Sequence, residues 1–122
     1  MMEFQPSKGI FLQIAERISE KILNGIYQSD DKIPSVRELA METGVNPNTI
    51  MRTYSQLQSE GIIENKRGVG FFVNPEAKGI ILEKRKRKFF NQMLPEFLRQ
   101  AKLLGISLED IMAQSRTKEG KN

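Results

Sequence analysis

Apolar residues recur at three- and four-residue intervals through three stretches of the first half of the chain, and again beyond residue 76. In the first stretch Phe11, Ile14, Ile18 and Ile22 form one stripe, while Glu16, Arg17, Glu20 and Lys21 take the other side. That pattern predicts an amphipathic helix from about Ile10 to Leu23, ended by Gly25 and followed by the polar loop YQSDDK. The second stretch, IPSVRELAMETG, opens with Pro34 as a boundary. Ser35 and Glu38 follow at capping-box spacing. Val36, Leu39 and Ala40 give its buried side, and Gly44 closes it after about two turns. Only Val45 separates that glycine from the next cap, Asn46. Two helices joined so tightly must cross steeply, as in a helix-turn-helix.

The third helix starts at Asn46 as N-cap, with Pro47 at the first helical position, and is closed by Gly61. Ile50, Tyr54 and Leu57 face inward, and Asn48, Arg52 and Ser55 lie opposite. The opening is polar and acid-free: Asn46, Asn48 and Thr49, then Arg52 one turn on, with no carboxylate before Glu60. A solvated helix face normally mixes both charges. This one suits an anionic partner that accepts hydrogen bonds. Free N–H groups and partial positive charge at a helix start favour phosphate, and Arg52 is long enough to pair with guanine. For Asn48, adenine and phosphate are both open. Next comes IIENKRGVGFFV: a strand starting at Ile62 and Ile63, a turn at Arg67-Gly68-Val69-Gly70, and a return through Phe71, Phe72 and Val73. Lys66 and Arg67 share the tip. A lone hairpin is marginal in water, so it must lean on the helices.

The predicted fold class is mainly α with a small β-hairpin wing. It comprises a winged helix-turn-helix over residues 8–75, a C-terminal two-helix extension over 76–116 and a frayed tail over 117–122. In the extension, Phe90, Leu94, Phe97, Ala101 and Leu104 make a heptad-like seam, with Phe89, Met93 and Leu98 beside it. Pro95 inside this pattern predicts a kink or break, because it lacks an N–H and clashes with the carbonyl of Asn91. Gly105 ends the long helix, and Ser107 with Asp110 starts a short one carrying Leu108, Ile111 and Met112. So many apolar side chains on two helices need a partner surface, and a second copy of the chain is the expected one.

Composition narrows the chemistry. The 122 residues contain no Cys and no His. Thiol and imidazole catalysis and the usual zinc ligand sets are thereby excluded, and no cofactor motif, metal cluster or enzyme is expected. No apolar run spans a membrane and the start, MMEFQPSKG, has no signal-peptide core, so a cytoplasmic protein is expected. The net charge of +4 is uneven. Residues 1–75 carry 8 Lys and Arg against 9 Asp and Glu, while residues 76–122 carry 11 against 6, largely through KRKRK at 84–88. Such a run is usually a solvated face.

The motifs PSVRELA, GVNPNTI with Arg52, Tyr54, Leu57 and Gly61 after it, and RGVGFFV, in this order, resemble the DNA-binding domain of the GntR family of bacterial transcription regulators. The NPNT opening and short tail are most similar to its YtrA-type subfamily. The resemblance implies that the third helix enters a major groove and the hairpin lies beside a minor groove. It implies DNA-facing roles for Ser35, Arg37, Asn46, Asn48, Thr49, Arg52, Lys66, Arg67 and Gly68. Two positions depart from the family pattern: Asp30 stands where Gly is common, and Met51 where a polar or basic residue is common. The expected function is a homodimeric, sequence-specific regulator of double-stranded DNA, a repressor on a palindromic operator. Its seam is Phe90, Leu94, Phe97, Ala101 and Leu104, and no small-molecule effector is legible. The alternative is a winged-helix protein-interaction module with only loose DNA binding, which the −1 balance of residues 1–75 favours.

Overall fold

In the computed structural model, which describes residues 9–119, helix α1 spans Ile10–Leu23, α2 Val36–Thr43 and α3 Pro47–Ser59. Strands β1 (Ile63–Lys66) and β2 (Gly70–Val73) form an antiparallel hairpin pairing Ile63 with Val73 and Lys66 with Gly70. Helix α4 (Ala77–Lys88), a π-helical turn (Phe89–Met93), α5 (Leu94–Leu103) and α6 (Leu108–Glu119) complete the chain. It divides into two compact units, residues 1–83 and 84–122.

The first unit is built around α3, which packs against α1, α2 and β1. Ile14, Ile18 and Ile22 of α1 meet Leu39, Ala40, Ile50, Tyr54 and Leu57 in one core with Ile62, Ile63 and Val73. Phe11, expected to extend the α1 stripe, is only half-buried. Thr53, absent from the expected inward face, is fully buried. Its hydroxyl donates back to the Thr49 carbonyl at 2.9 Å, which is how a helical threonine is buried without an orphaned polar atom. Ile62 does not begin the strand. Its N–H donates to the Leu57 carbonyl and that of Gly61 to the Gln58 carbonyl, so the pair closes α3 and β1 starts one residue later.

The hairpin is reinforced by the loop before α2. Asp30 and Ile33 donate backbone N–H bonds to the carbonyls of Val73 and Phe71, and Val73 donates to Asp31, each at 2.9 Å. Lys32 pairs with Phe72 in a single antiparallel bridge. A two-stranded ribbon thus gains a short third ply. On its inner side Phe71 meets Tyr54 edge-on, with ring centroids 4.9 Å apart. Asp30, as its departure from Gly foreshadowed, sits at φ +67°.

The core does not stop at residue 75. Ala77 and Ile81 of α4 are buried in it, so the winged-helix unit runs through Glu83 and the expected boundary moves by about two helical turns. Burying Ile81 alone is worth about 1.5–3 kcal/mol.

In the second unit the interruption near Pro95 is a widened turn, not a break. The Leu94 N–H bonds to the Phe89 carbonyl five residues back. Widening the helix just before the proline gives its ring room and absorbs the lost donor. Ser107 and Asp110 cap α6 reciprocally, at 3.0 and 3.1 Å. The Ser107 N–H, then its hydroxyl, holds the Asp110 carboxyl below its ordinary pKa. Helix α6 runs to Glu119, past the point where fraying was expected; residues 120–122 lie outside the described ones.

Candidate nucleic-acid interface

The turn between α2 and α3 is set by three residues. Gly44 takes φ +72°, where a side chain would be strained. Thr43, buried, donates from its hydroxyl to the Leu39 carbonyl at 2.8 Å and accepts the Val45 N–H at 3.3 Å. Asn46 then caps α3, its Oδ1 accepting the Asn48 N–H at 2.8 Å. At the other end of α2 the capping box is complete: Ser35 N–H to Glu38 Oε1 at 2.9 Å and Glu38 N–H to Ser35 Oγ at 3.1 Å. The Ser35 backbone N–H, followed by its hydroxyl, holds the Glu38 carboxyl below its ordinary pKa. Ser35 therefore spends its side chain on the cap, and Arg37 beside it is exposed.

The opening of α3 differs from expectation in one respect. Its backbone donors are already committed: Pro47 has none, the Asn48 N–H is held by Asn46, and the Thr49 N–H bonds to the Asn46 carbonyl at 2.9 Å. What this end presents is side chains. Asn46, Asn48 and Arg52 are exposed, and Thr49 is half-buried. With Oδ1 inside the cap, the Asn46 amide group is left as a donor. The Arg52 guanidinium lies over the ring of Phe11 on α1, 4.7 Å from its centroid.

On the wing, Lys66, Arg67 and Gly68 are exposed at the tip, where the Val69 N–H closes on the Lys66 carbonyl at 2.8 Å and Gly68 takes φ +79°. Lys66 Nζ stacks over Phe72, 4.3 Å from the ring centroid. Lys32 was missed by sequence reasoning. Its side chain lies across Gly70: a Cβ there would stand 2.8 Å from Lys32 Cε, the far end of a flexible chain that can move aside, and it is the φ of +142° that favours glycine at this position. The structure thus groups Asn46, Asn48, Thr49 and Arg52 at the start of α3, and Lys66, Arg67 and Gly68 with Lys32 on the wing.

Of the expected seam, Phe90, Phe97 and Leu104 are 61%, 49% and 67% exposed, Leu94 is half-buried and Ala101 is buried. Phe89 and Phe90 meet edge-on at 5.3 Å. No cluster of possible metal ligands occurs among the described residues, nor a helix long and apolar enough to cross a membrane.

This is a winged helix-turn-helix whose third helix has a polar, acid-free opening. The sequence model of the bacterial regulatory proteins, gntR family, matches residues 11–73, and the chain belongs to that family: it is a DNA-binding transcriptional regulator. It is 42% identical to the HTH-type transcriptional regulator YhcF of Bacillus subtilis over 94% of this chain and 93% of that one. With the HTH-type transcriptional repressor YtrA of the same organism it shares 37% identity, over 91% of this chain and 86% of the relative. Among solved structures, a GntR-family regulator from Bacteroides thetaiotaomicron superposes with a TM-score of 0.79 at 44% identity, covering 93% of this chain and all of that one. The DBD of AraR in complex with operator ORR3 superposes with a TM-score of 0.51 at 32% identity, covering 60% of this chain and 92% of that one.

Proposed function

We propose that the chain is a cytoplasmic, homodimeric repressor that reads a palindromic operator, with the start of α3 in the major groove and the wing beside the minor groove. The observation that carries this is the opening of α3. Asn46, Asn48 and Arg52 stand exposed with no acid among them, on a helix held firmly by α1, α2 and the wing. Asn46 and Asn48 offer short donors for close approach. Arg52 supplies the reach and the bidentate fork that pairs with guanine. Arg37 and Lys32 neutralise phosphates, and Arg67 enters the minor groove.

Dimerisation draws its support from the second unit. Phe90, Phe97 and Leu104 are large apolar side chains left about half or more exposed at heptad spacing, the kind of face a second copy would cover, and two-fold dimers match two-fold sites. Repression draws on the similarity to YtrA, itself a repressor. Selection of duplexes from a random library with the full chain tests the whole reading. The expected product is an inverted repeat bound with steep salt dependence. Recovery of a single asymmetric half-site, or of no preferred sequence, overturns it.

A further inference from the structure

We infer that Phe11, at the start of α1, is a positioning residue for base recognition: its ring holds the Arg52 guanidinium by stacking and leaves the in-plane N–H fork free for a base edge. The inference rests on the reading of Arg52 as a base-contacting residue.

Two links tie Phe11 to the reading helix. The Arg52 Cζ lies 4.7 Å from the ring centroid. On the next residue, the buried Thr53 hydroxyl approaches the Phe11 carbonyl at 3.5 Å. The ring and backbone of one α1 residue thus meet consecutive residues of α3. Phe11 is half-buried although it continues the stripe of Ile14, Ile18 and Ile22, so its ring is not simply core.

The chemistry of the contact matters. A carboxylate partner would occupy the fork that a guanine needs, and Arg52 has no such partner among the described residues. A ring face takes the guanidinium by its plane and leaves all five N–H groups pointing outward. Stacking therefore removes rotamer freedom before binding and consumes no donor, so less of that freedom remains to be lost on the DNA. Lys66 over Phe72 is the instructive contrast. An ammonium is a point charge and gains no direction from its ring.

The test uses the full chain and the duplex recovered by selection, with single-base variants at each half-site position. Arg52→Ala identifies the position that Arg52 reads, as the one where preference relaxes. Phe11→Leu, which keeps apolar bulk, is expected to lower discrimination at that same position about two- to fivefold. Phe11→Tyr restores it, and affinity for random duplex does not change. In an Arg52→Ala background, Phe11→Leu adds no further loss at that position. Without DNA, ring-current displacement of the Arg52 side-chain protons should be present in the wild type and in Phe11→Tyr, and absent in Phe11→Leu. Full discrimination by Phe11→Leu, alongside its loss in Arg52→Ala, overturns the inference and leaves the reading of Arg52 standing. An Arg52→Ala chain with unchanged preference everywhere overturns both. A uniform loss on all duplexes with a lower melting temperature in Phe11→Leu, not rescued by tyrosine, shows a packing role only and also overturns it.

Discussion

The phenol of Tyr54, on α3, donates to the backbone carbonyl of Pro34 at 2.6 Å, joining the middle of that helix to the residue before the N-cap of α2. The same ring packs edge-on against Phe71 of the wing. One side chain therefore fixes α3 against both elements that flank it. Tyr54→Phe keeps the ring and strands the carbonyl, so it should cost about 1–2 kcal/mol in urea unfolding. DNA affinity should fall equally on all sequences, since no base contact is removed. A change in sequence preference would show that Tyr54 also acts at the interface.

Burial pushes the Tyr54 phenol well above the ordinary tyrosine pKa, with smaller contributions from Tyr27, Glu42 and Glu38. The folded pKa exceeds the unfolded one, near 10, so the unfolded chain releases this proton first. Tyr54 therefore contributes fully below about pH 10, and its contribution declines above it by about 1.4 kcal/mol per pH unit. The wild type should lose stability over that range more steeply than Tyr54→Phe. Parallel pH–stability curves for the two would exclude this linkage.

The links that Tyr54 makes show which parts of the molecule were legible in the sequence. Helix bounds followed from local signals: the capping box of Ser35 and Glu38, the proline after Asn46 and the glycines after α1, α2, α3 and α5 all act within a turn. What escaped depends on contacts distant in sequence. Phe11 looked like core because its spacing from Ile14 is right; only the crossing of α1 and α3 reveals Arg52 over its ring. Lys32 was one cation in a polar loop until that loop joined the sheet beside Gly70. Ala77 and Ile81 belonged to an extension until α4 returned to the core. Pro95 announced an interruption, but a widened turn and a break answer the same steric demand, and periodicity does not distinguish them.

Arg37 and Arg67 should separate two kinds of contact. Arg37→Ala should weaken binding to every duplex alike and reduce the salt slope by about 1. Arg67 stands at an exposed tip beside Gly68, suited to a narrow minor groove with its stronger negative potential. Arg67→Ala should cost most on sites with A·T-rich flanks, read by titrating matched A·T and G·C duplexes. Equal losses on the two would make Arg67 a plain phosphate contact.

Asp30 holds φ +67° while its N–H bonds to Val73 in the third ply of the wing. Alanine there meets the left-handed penalty without the local hydrogen bonding open to aspartate, and should destabilise by about 1 kcal/mol. Asp30→Gly should be at least as stable as the wild type. Urea midpoints should therefore rank glycine at or above aspartate, and aspartate above alanine; alanine equal to glycine would mean the turn relaxes to negative φ.

The second unit supplies the decisive test of the dimer. A chain ending at Glu83 keeps Ala77 and Ile81 and with them the whole core of the first unit, whereas one ending at Pro75 loses both. The longer form should unfold cooperatively and sediment as a monomer. The shorter should be less stable by about 2–3 kcal/mol, chiefly for want of Ile81. The monomer should bind a half-site weakly and an inverted repeat scarcely better, because tethering supplies most of the gain in a two-site complex. Phe97→Asp in the full chain should act like the truncation. Phe97 is already 49% exposed, so a charge there spares the fold of one chain and disrupts only a seam between two. Leu94→Asp, at a half-buried position, should do the same with some added loss of helix packing. Sedimentation decides. If the 1–83 chain is still a dimer, or the full wild-type chain is a stable monomer, then the phenylalanines do not form a seam between copies, and the two-fold reading of the operator falls with them.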